Sequence, residues 1–250
     1  MSKLAPSPKR PKSPLPPPRL MFIGDPHGDF RHAIASVRLH RPEAIILLGD
    51  IQAKRPLHLE LAPILDLTEV FFIHGNHDTD SEADYDNLFG SDLAHRNLHG
   101  RVVEVAGLRV AGLGGVFRET IWAPPLEPAF RSIAERLKVI RPGERWRGGI
   151  PLRHRSTIWP EEYERLSHQR ADVLVTHEAP GGHRLGWEVL DDLASSMGVQ
   201  VLVHGHLHTQ IDYAAEGRLP RRCRYEAYGV AGDFFLTWPQ TVRQFIAGVP

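Results

Sequence analysis

Cysteine is nearly absent from this 250-residue chain: Cys223 is the single one. One thiol makes no intrachain disulfide and no cysteine zinc cluster, which fits a reducing compartment. Cys223 itself reads as a small residue, buried or half-buried. Long apolar runs are missing too. No stretch reaches the roughly 18 apolar residues of a membrane span. The basic, proline-rich start lacks the apolar segment of a secretory signal, so a cytoplasmic location is the expectation. Net charge is also absent, with Lys+Arg and Asp+Glu both at 30. No global field draws in nucleic acid or an anionic membrane, and any polyanion must be met by a local patch. The apolar fraction of 42% still suffices for a core. The length fits one large domain or one domain with an embellishment.

What is present begins with prolines and cations. Residues 1–19 read as a basic tail of polyproline character, a passive extension in preference to a docking segment. The expected domain covers 20–240. Apolar runs at 20–23, 44–48 and 70–73 read as buried strands, and 30–39 carries helical spacing of Phe30, Ile34 and Val37. Residues 57–67 also look helical, with Pro63 set to break or bend the helix. The order strand–helix–strand–helix–strand implies right-handed parallel crossovers, whose ligands gather beyond the carboxyl ends of the strands. Residues 101–105 and 108–112 flank Ala106-Gly107 as a hairpin. The run Gly112-Leu113-Gly114-Gly115 lacks the Lys-Ser/Thr of a phosphate loop and reads as a tight turn.

Residues 117–157 break this rhythm. They hold nine Lys/Arg against four Glu, together with Trp122 and Trp146. The segment reads as an inserted lid with a helix at 129–139, its cations a solvated face in preference to a phosphate-binding or base-stacking wall. Helices at 160–170 and 187–197 and strands at 172–175 and 199–203 follow. Alternation over 211–238 suggests antiparallel strands.

Short polar motifs sit where the predicted strands end: Asp25-Pro26-His27, Gly49-Asp50, Gly75-Asn76-His77-Asp78, Thr176-His177 and Gly205-His206-Leu207-His208. They offer carboxylate, imidazole and amide ligands and no thiolate, a mixture that suits a pair of divalent transition metals working on a phosphate ester. In extended backbone, residues two apart point the same way, so Asp25 and His27 are expected to aim at one ion. His206 and His208 share that spacing and can serve two adjacent ions.

This order of motifs resembles the calcineurin-like metallophosphoesterases over roughly 20–238, the insert excepted. The resemblance implies an α/β fold, a four-layer α/β/β/α sandwich with a dimetal site at one edge. It implies that Asp25, His27, Asp50 and His208 hold one cation, that Asp50 bridges, and that Asn76, His177 and His206 complete the second. It gives His77 a catalytic rather than a ligand role, stabilising charge at phosphorus or protonating the leaving oxygen. The implied cofactors are two divalent ions (manganese favoured among manganese, iron, zinc and cobalt) whose bridging hydroxide attacks phosphorus. One departure matters. Phosphoprotein phosphatases carry Gly-Asp-x-x-Asp-Arg-Gly, where this chain has Gly49-Asp50-Ile51-Gln52-Ala53-Lys54-Arg55. The Asp that pairs with the catalytic His and the Arg that grips phosphate are both missing. The pattern sits nearer phosphodiesterases, with a phosphorylated small molecule or nucleotide as substrate. It leaves Asp78 and Asp80 as alternative partners of His77. A non-catalytic scaffold or a nuclease are the alternatives in function.

The remaining histidines carry less. His74 and His204 read either as supports of the ligands or as ordinary buried groups, and His183 either as a substrate neighbour or as an exposed turn residue. His32, His40, His58, His95, His99, His154 and His168 show no pattern and are expected at the surface.

Overall fold

Neighbouring residues of the first strands enter different cores, as the two-residue period of a strand demands. The computed structural model describes residues 19–219, 223–232, 234–238 and 246–247. In it β1 (Leu20–Ile23), β2 (Ala44–Leu48) and β3 (Glu69–Ile73) are parallel neighbours. Phe22, Ile46, Leu48, Phe71 and Ile73 face a second sheet. Met21, Ile23, Ile45, Leu47 and Phe72 face the other way, into a core shared with Ala33 and Val37 of α1 (Arg31–His40), Leu57 of α2 (Leu57–Glu60) and Leu88 of α3 (Glu82–Phe89).

The second sheet holds β4 (Arg101–Val105), β5 (Leu108–Leu113), β6 (Val173–Thr176), β7 (Val201–His204), β8 (Ile211–Asp212) and β9 (Glu226–Gly229), in the order β4-β5-β6-β7-β9-β8. Val110, Val173, Val175, Val201 and Val203 meet the first sheet. Ala111, Leu113, Leu174 and Leu202 pack outward, α4 (Ile133–Val139) lies in the insert, and the outer cover is Leu166 of α5 (Pro160–Ser167) with Leu190, Leu193, Ala194 and Met197 of α6 (Glu188–Met197). Helix, sheet, sheet and helix thus form the expected four-layer sandwich. Truncating a midplane residue such as Ile46 to Ala would cost about 2–5 kcal/mol, because both sheets close on it.

Several expectations are met and others change. The hairpin β4–β5 turns at Ala106 and Gly107, both at positive φ (49° and 70°). The helix expected at 57–67 stops at Glu60, and Pro63 sits in a separate 3₁₀ turn, Ala62–Ile64. The C-terminal strands are not one antiparallel set. β10 (Phe234–Trp238) runs antiparallel to β1 in the first sheet, whereas β9 runs parallel to β7 in the second. Alternation marks a strand but says nothing of its partner. β11 (Ile246–Ala247) completes the first sheet. Ile121 and Ile150 of the insert form a small core with Trp159 just beyond it, packed by Phe130, Ile133 and Leu137. Trp146 lies against Tyr85 and Trp122 against Phe117 and Tyr163, so the two tryptophans do not make one wall. Of the expected tail, 1–19, residues 1–18 lie outside the described residues.

Candidate metal centre

Strands β1, β2, β3, β6 and β7 run parallel within their sheets, and the polar motifs follow their carboxyl ends. The turns there are tight. Asp25, His27, Asp50, His206 and His208 all lie at positive φ, between 35° and 67°. Such backbone costs a non-glycine residue about 1–3 kcal/mol and persists only where its surroundings hold it. This corrects the expectation of an extended Asp25–His27 and His206–His208. Their side chains converge because the chain coils, not because it is straight. Close approach also fixes two glycines. A Cβ on Gly49, at φ 99°, would run into His177 and lie 2.7 Å from the Gly75 nitrogen, and one on Gly75 would collide with Asp50.

Two groups of ligand atoms result. His27, Asp50 and His208 come together in one, and Asp50, His177 and His206 in the other, each within 4.8 Å. Asp50 is common to both. Asn76 joins the second through its Oδ1, 3.2 Å from His177 Nε2. Asp25 belongs to neither three-residue group. It lines a cavity of about 440 Å³ with His27 and His208, and its Oδ1 accepts the His206 backbone N–H at 3.0 Å.

The imidazoles are oriented by their other nitrogens. His177 Nδ1 donates to Leu48 O (2.8 Å), leaving Nε2 toward Asp50 and Asn76. His27 Nδ1 meets Gln52 Oε1 at 2.7 Å, leaving Nε2 toward His208 Nε2, 3.1 Å away. Burial opposes charge at both Asp50 and His177, but their mutual contact prevails: His177 is raised to about 9 and Asp50 is held below the usual carboxylate range. Burial pushes Asp25 up and, with the neighbouring His177, pushes His206 down to about 4.

These residues fit a pair of cations. Asp25 Oδ2 and His206 Nδ1 are buried with no hydrogen-bond partner among the described residues. A buried carboxylate oxygen and ring nitrogen left so are costly unless a ligand meets them. The donor set is all nitrogen and oxygen, suited to borderline divalent metals.

His77 sits beside this constellation. Its backbone N–H donates to Asp50 Oδ1 (2.9 Å), and its Nδ1 contacts Asp80 Oδ2 at 2.5 Å. That hydrogen bond is the main reason its pKa is raised. Asp80 is therefore the orienting partner. Asp78 serves the backbone instead. Wholly buried, it accepts the N–H groups of Ile51 and Gln52 on Oδ1 and of Gly75 on Oδ2, each at 2.8 Å. Burial drives its carboxyl up to about 7 against those donors.

Two further residues escaped the sequence reading. Gln52 has no motif to announce it. Glu178 follows His177 directly and is buried, with Oε1 accepting from Phe117 N (3.1 Å) and Oε2 3.9 Å from His206 Nε2. His204 is a buried support, bonded to Tyr213 Oη and Gly205 O (both 2.8 Å), and His74 is buried against the His99 ring. His183 lies on the turn after Pro180, near Arg184 and Arg218. Five supposed surface histidines are not fully exposed. His154 is buried, His99 pairs with Glu162 at 3.0 Å, and His32, His40 and His58 are half-buried, the last against Ser91.

A two-sheet sandwich whose strand ends gather carboxylates, imidazoles and an amide around one shared Asp defines a phosphoesterase-type centre. Comparison with known proteins agrees. The calcineurin-like phosphoesterase family model matches residues 18–210, and the chain belongs to that family, whose members are typically dimetal hydrolases. An uncharacterized protein of Haemophilus influenzae is 43% identical over 194 residues, 78% of this chain and 85% of that one. The crystal structure of TT1561 of Thermus thermophilus aligns with TM-score 0.52 and 16% identity, over 87% of this chain and 93% of its own. A further crystal structure aligns with TM-score 0.57 and 14% identity, over 92% of this chain and 99% of its own. At those identities the two structures speak for the fold alone.

Proposed function

We propose that this chain hydrolyses phosphate esters, diesters in preference to monoesters, at a two-cation centre held by Asp25, His27, Asp50, Asn76, His177, His206 and His208. The observation that carries the reading is Asp50, the one member common to both ligand groups. A pair of divalent ions held there, with manganese favoured, would supply an ionised water at neutral pH and neutralise the charge growing on phosphate. Asp50 lowers the repulsion between two such charges, and Asn76 adds a ligand without adding charge. His77, its Nδ1 engaged by Asp80 and its pKa raised by that contact, presents its other nitrogen to the charge on the leaving or equatorial oxygen. Arg118, half-buried and within the influence of Arg153, Asp80 and Glu178, is the guanidinium we assign to a phosphate oxygen.

Two observations support the diester preference and catalysis itself. Arg55, the one guanidinium of this loop, pairs with Glu60 at 3.3 Å, which offsets the charge it would offer a dianionic monoester. Asp80 supplies His77 with the carboxylate contact that the Gly49-Asp50 loop lacks, which favours catalysis over a non-catalytic scaffold. The natural substrate on this reading is a phosphorylated small molecule or nucleotide. The test is hydrolysis of bis-p-nitrophenyl phosphate and p-nitrophenyl phosphate with manganese, iron, zinc or cobalt added. The diester should turn over faster. Metal shown to be bound, with neither compound hydrolysed, would refute the proposal.

A further inference from the structure

The cations of the insert divide by what they touch. Arg131 pairs with Glu127 and Glu164, and Arg147 with Glu82 and Asp86. Arg136 lies over Phe130, Arg155 over Trp146, and Arg145 donates to Leu137 O. Lys138 and Arg141 are exposed. Arg118 and Arg153 stand apart. Neither makes an ion pair or lies over a ring among the described residues, yet both sit at the junction of the insert with the metal centre.

That junction is built around Ser156. The 3₁₀ turn Leu152–Ser156 packs on the turn that carries His77, with Ser156 Oγ 2.7 Å from Thr79 Oγ1. The same Ser156 Oγ lies 3.3 Å from Arg153 O and 3.5 Å from Arg118 Nη2. Arg118 is half-buried, and its Nε is enclosed with no hydrogen-bond partner among the described residues. The acids that act on it are Asp80, whose carboxylate engages His77, and Glu178, which lies beside His206. Burial and the like charge of Arg153 both oppose its protonated state. His154, next in the chain to Arg153, is buried and pushed down to about 4 by that burial and by Arg153, Arg118 and Arg136, so it adds no charge of its own. A half-buried guanidinium beside a second one, with no ion pair, is costly unless an anion meets them. Two such forks match the oxygens of one phosphate. The phosphate under attack does not require both, since the cations and His77 already serve it.

We propose that Arg118 and Arg153 form a second anion subsite on the His77 side of the metal centre, which takes a phosphate group of the substrate other than the one whose ester bond breaks. The subsite rests on the phosphoesterase reading and narrows its substrate class to phosphodiesters that carry a further terminal phosphate, as a phosphorylated nucleotide does. It returns two of the insert's cations from a solvated face to a phosphate-binding wall.

The manganese-loaded full chain tests it with two probes: the p-nitrophenyl ester of thymidine monophosphate, and the same ester with a phosphate on its second sugar hydroxyl. Charged hydrogen bonds gained by the second probe are worth about 10–100-fold in binding. The parent should therefore favour the phosphorylated ester by about that factor in kcat/KM, mainly through KM. Arg153→Gln should bring the two esters close to parity, and Arg153→Lys should keep part of the preference. Arg141→Gln, which removes an exposed cation of the same insert, should keep all of it. Calorimetric titration of both esters into manganese-loaded His77→Ala should show the same preference without relying on turnover. Equal kcat/KM for the two esters, or a preference that Arg153→Gln leaves intact, would overturn the subsite. Hydrolysis of neither ester would sink the phosphoesterase reading instead, and the calorimetric preference, present or absent, would then decide the subsite by itself.

Discussion

Asp78→Ala is the perturbation that most directly tests how the site is built. The Asp78 carboxylate ties the turn after β2 to the turn after β3 through three N–H groups, those of Ile51, Gln52 and Gly75, each at 2.8 Å. It is wholly buried, so none of the three has bulk water as a ready substitute. A buried donor stripped of its acceptor costs about 1–3 kcal/mol. Three such losses, partly relieved by water entering the space left, amount to about 3–5 kcal/mol. For a domain of this size that lowers Tm by roughly 10 °C. The protein should still fold, since domains are typically stable by about 5–15 kcal/mol. The loss is not only global. The two turns carry Asp50 and Asn76, so the variant should bind manganese more weakly at both positions. Asp78→Asn retains one acceptor oxygen for Ile51 and Gln52 and should fall between. The assay is urea unfolding followed by circular dichroism at about pH 5, because ionising this buried carboxyl costs stability that grows as pH rises from about 4 to about 7 and would mask the loss of the three contacts, together with calorimetric manganese titration at neutral pH. Asp78→Ala with an unchanged unfolding midpoint and unchanged manganese affinity would refute the idea that this carboxylate clasps the two turns.

Other outcomes follow from the same geometry. His77→Ala should lower kcat about 10²–10⁴-fold while metal content, read by mass spectrometry, stays at the parent level. Asp80→Asn removes the group that raises the His77 pKa, so the alkaline fall of kcat should move to lower pH, as a pH–rate profile would show. Asp50→Asn should lose both cations, and two fully occupied positions in that variant would contradict the bridging role. Burial, reinforced by Arg153, Arg118 and Arg136, depresses His154 to about 4. The unfolded chain binds that proton near 6.5, so this neutral histidine contributes fully above about 6.5 and its contribution is lost as pH falls through 4. The loss is about 2–3 kcal/mol. Unfolding of His154→Asn across that window should therefore show a flatter acid limb than the parent.

The layers and the site differ in how far the primary structure reveals them. Strands such as Ala44–Leu48 are apolar throughout because both faces are covered, and their ends are marked by polar motifs, so β1, β2 and β3 and the seven proposed ligands are legible. The route by which ligands converge is not. Asp25 and His27 are two apart, as a straight strand would require, yet both lie in left-handed turns. The choice between Asp78 and Asp80 depends on local winding. Residues 77–79 form a 3₁₀ turn, in which positions three apart eclipse, so Asp80 falls beside His77 while Asp78 turns inward. His99 and His154 escape detection because a solitary histidine has no periodicity. What buries His99 is Glu162, sixty-three residues away in the chain and visible only in three dimensions. Gln52 acts on His27 in the same way, unannounced by any pattern.

Each ligand group draws on both halves of the sandwich. Asp50 and His27 hang from the first sheet, and His177, His206 and His208 from the second. A bound cation is then a rivet through two plates that are otherwise joined by their greasy interior. Chelation should loosen the rim before the middle: amide exchange would quicken at the turns after β2, β3 and β7 while Ile46 and Val175 stay protected. Metal supply would thus set how firmly the plates are fastened, apart from any chemistry done between them.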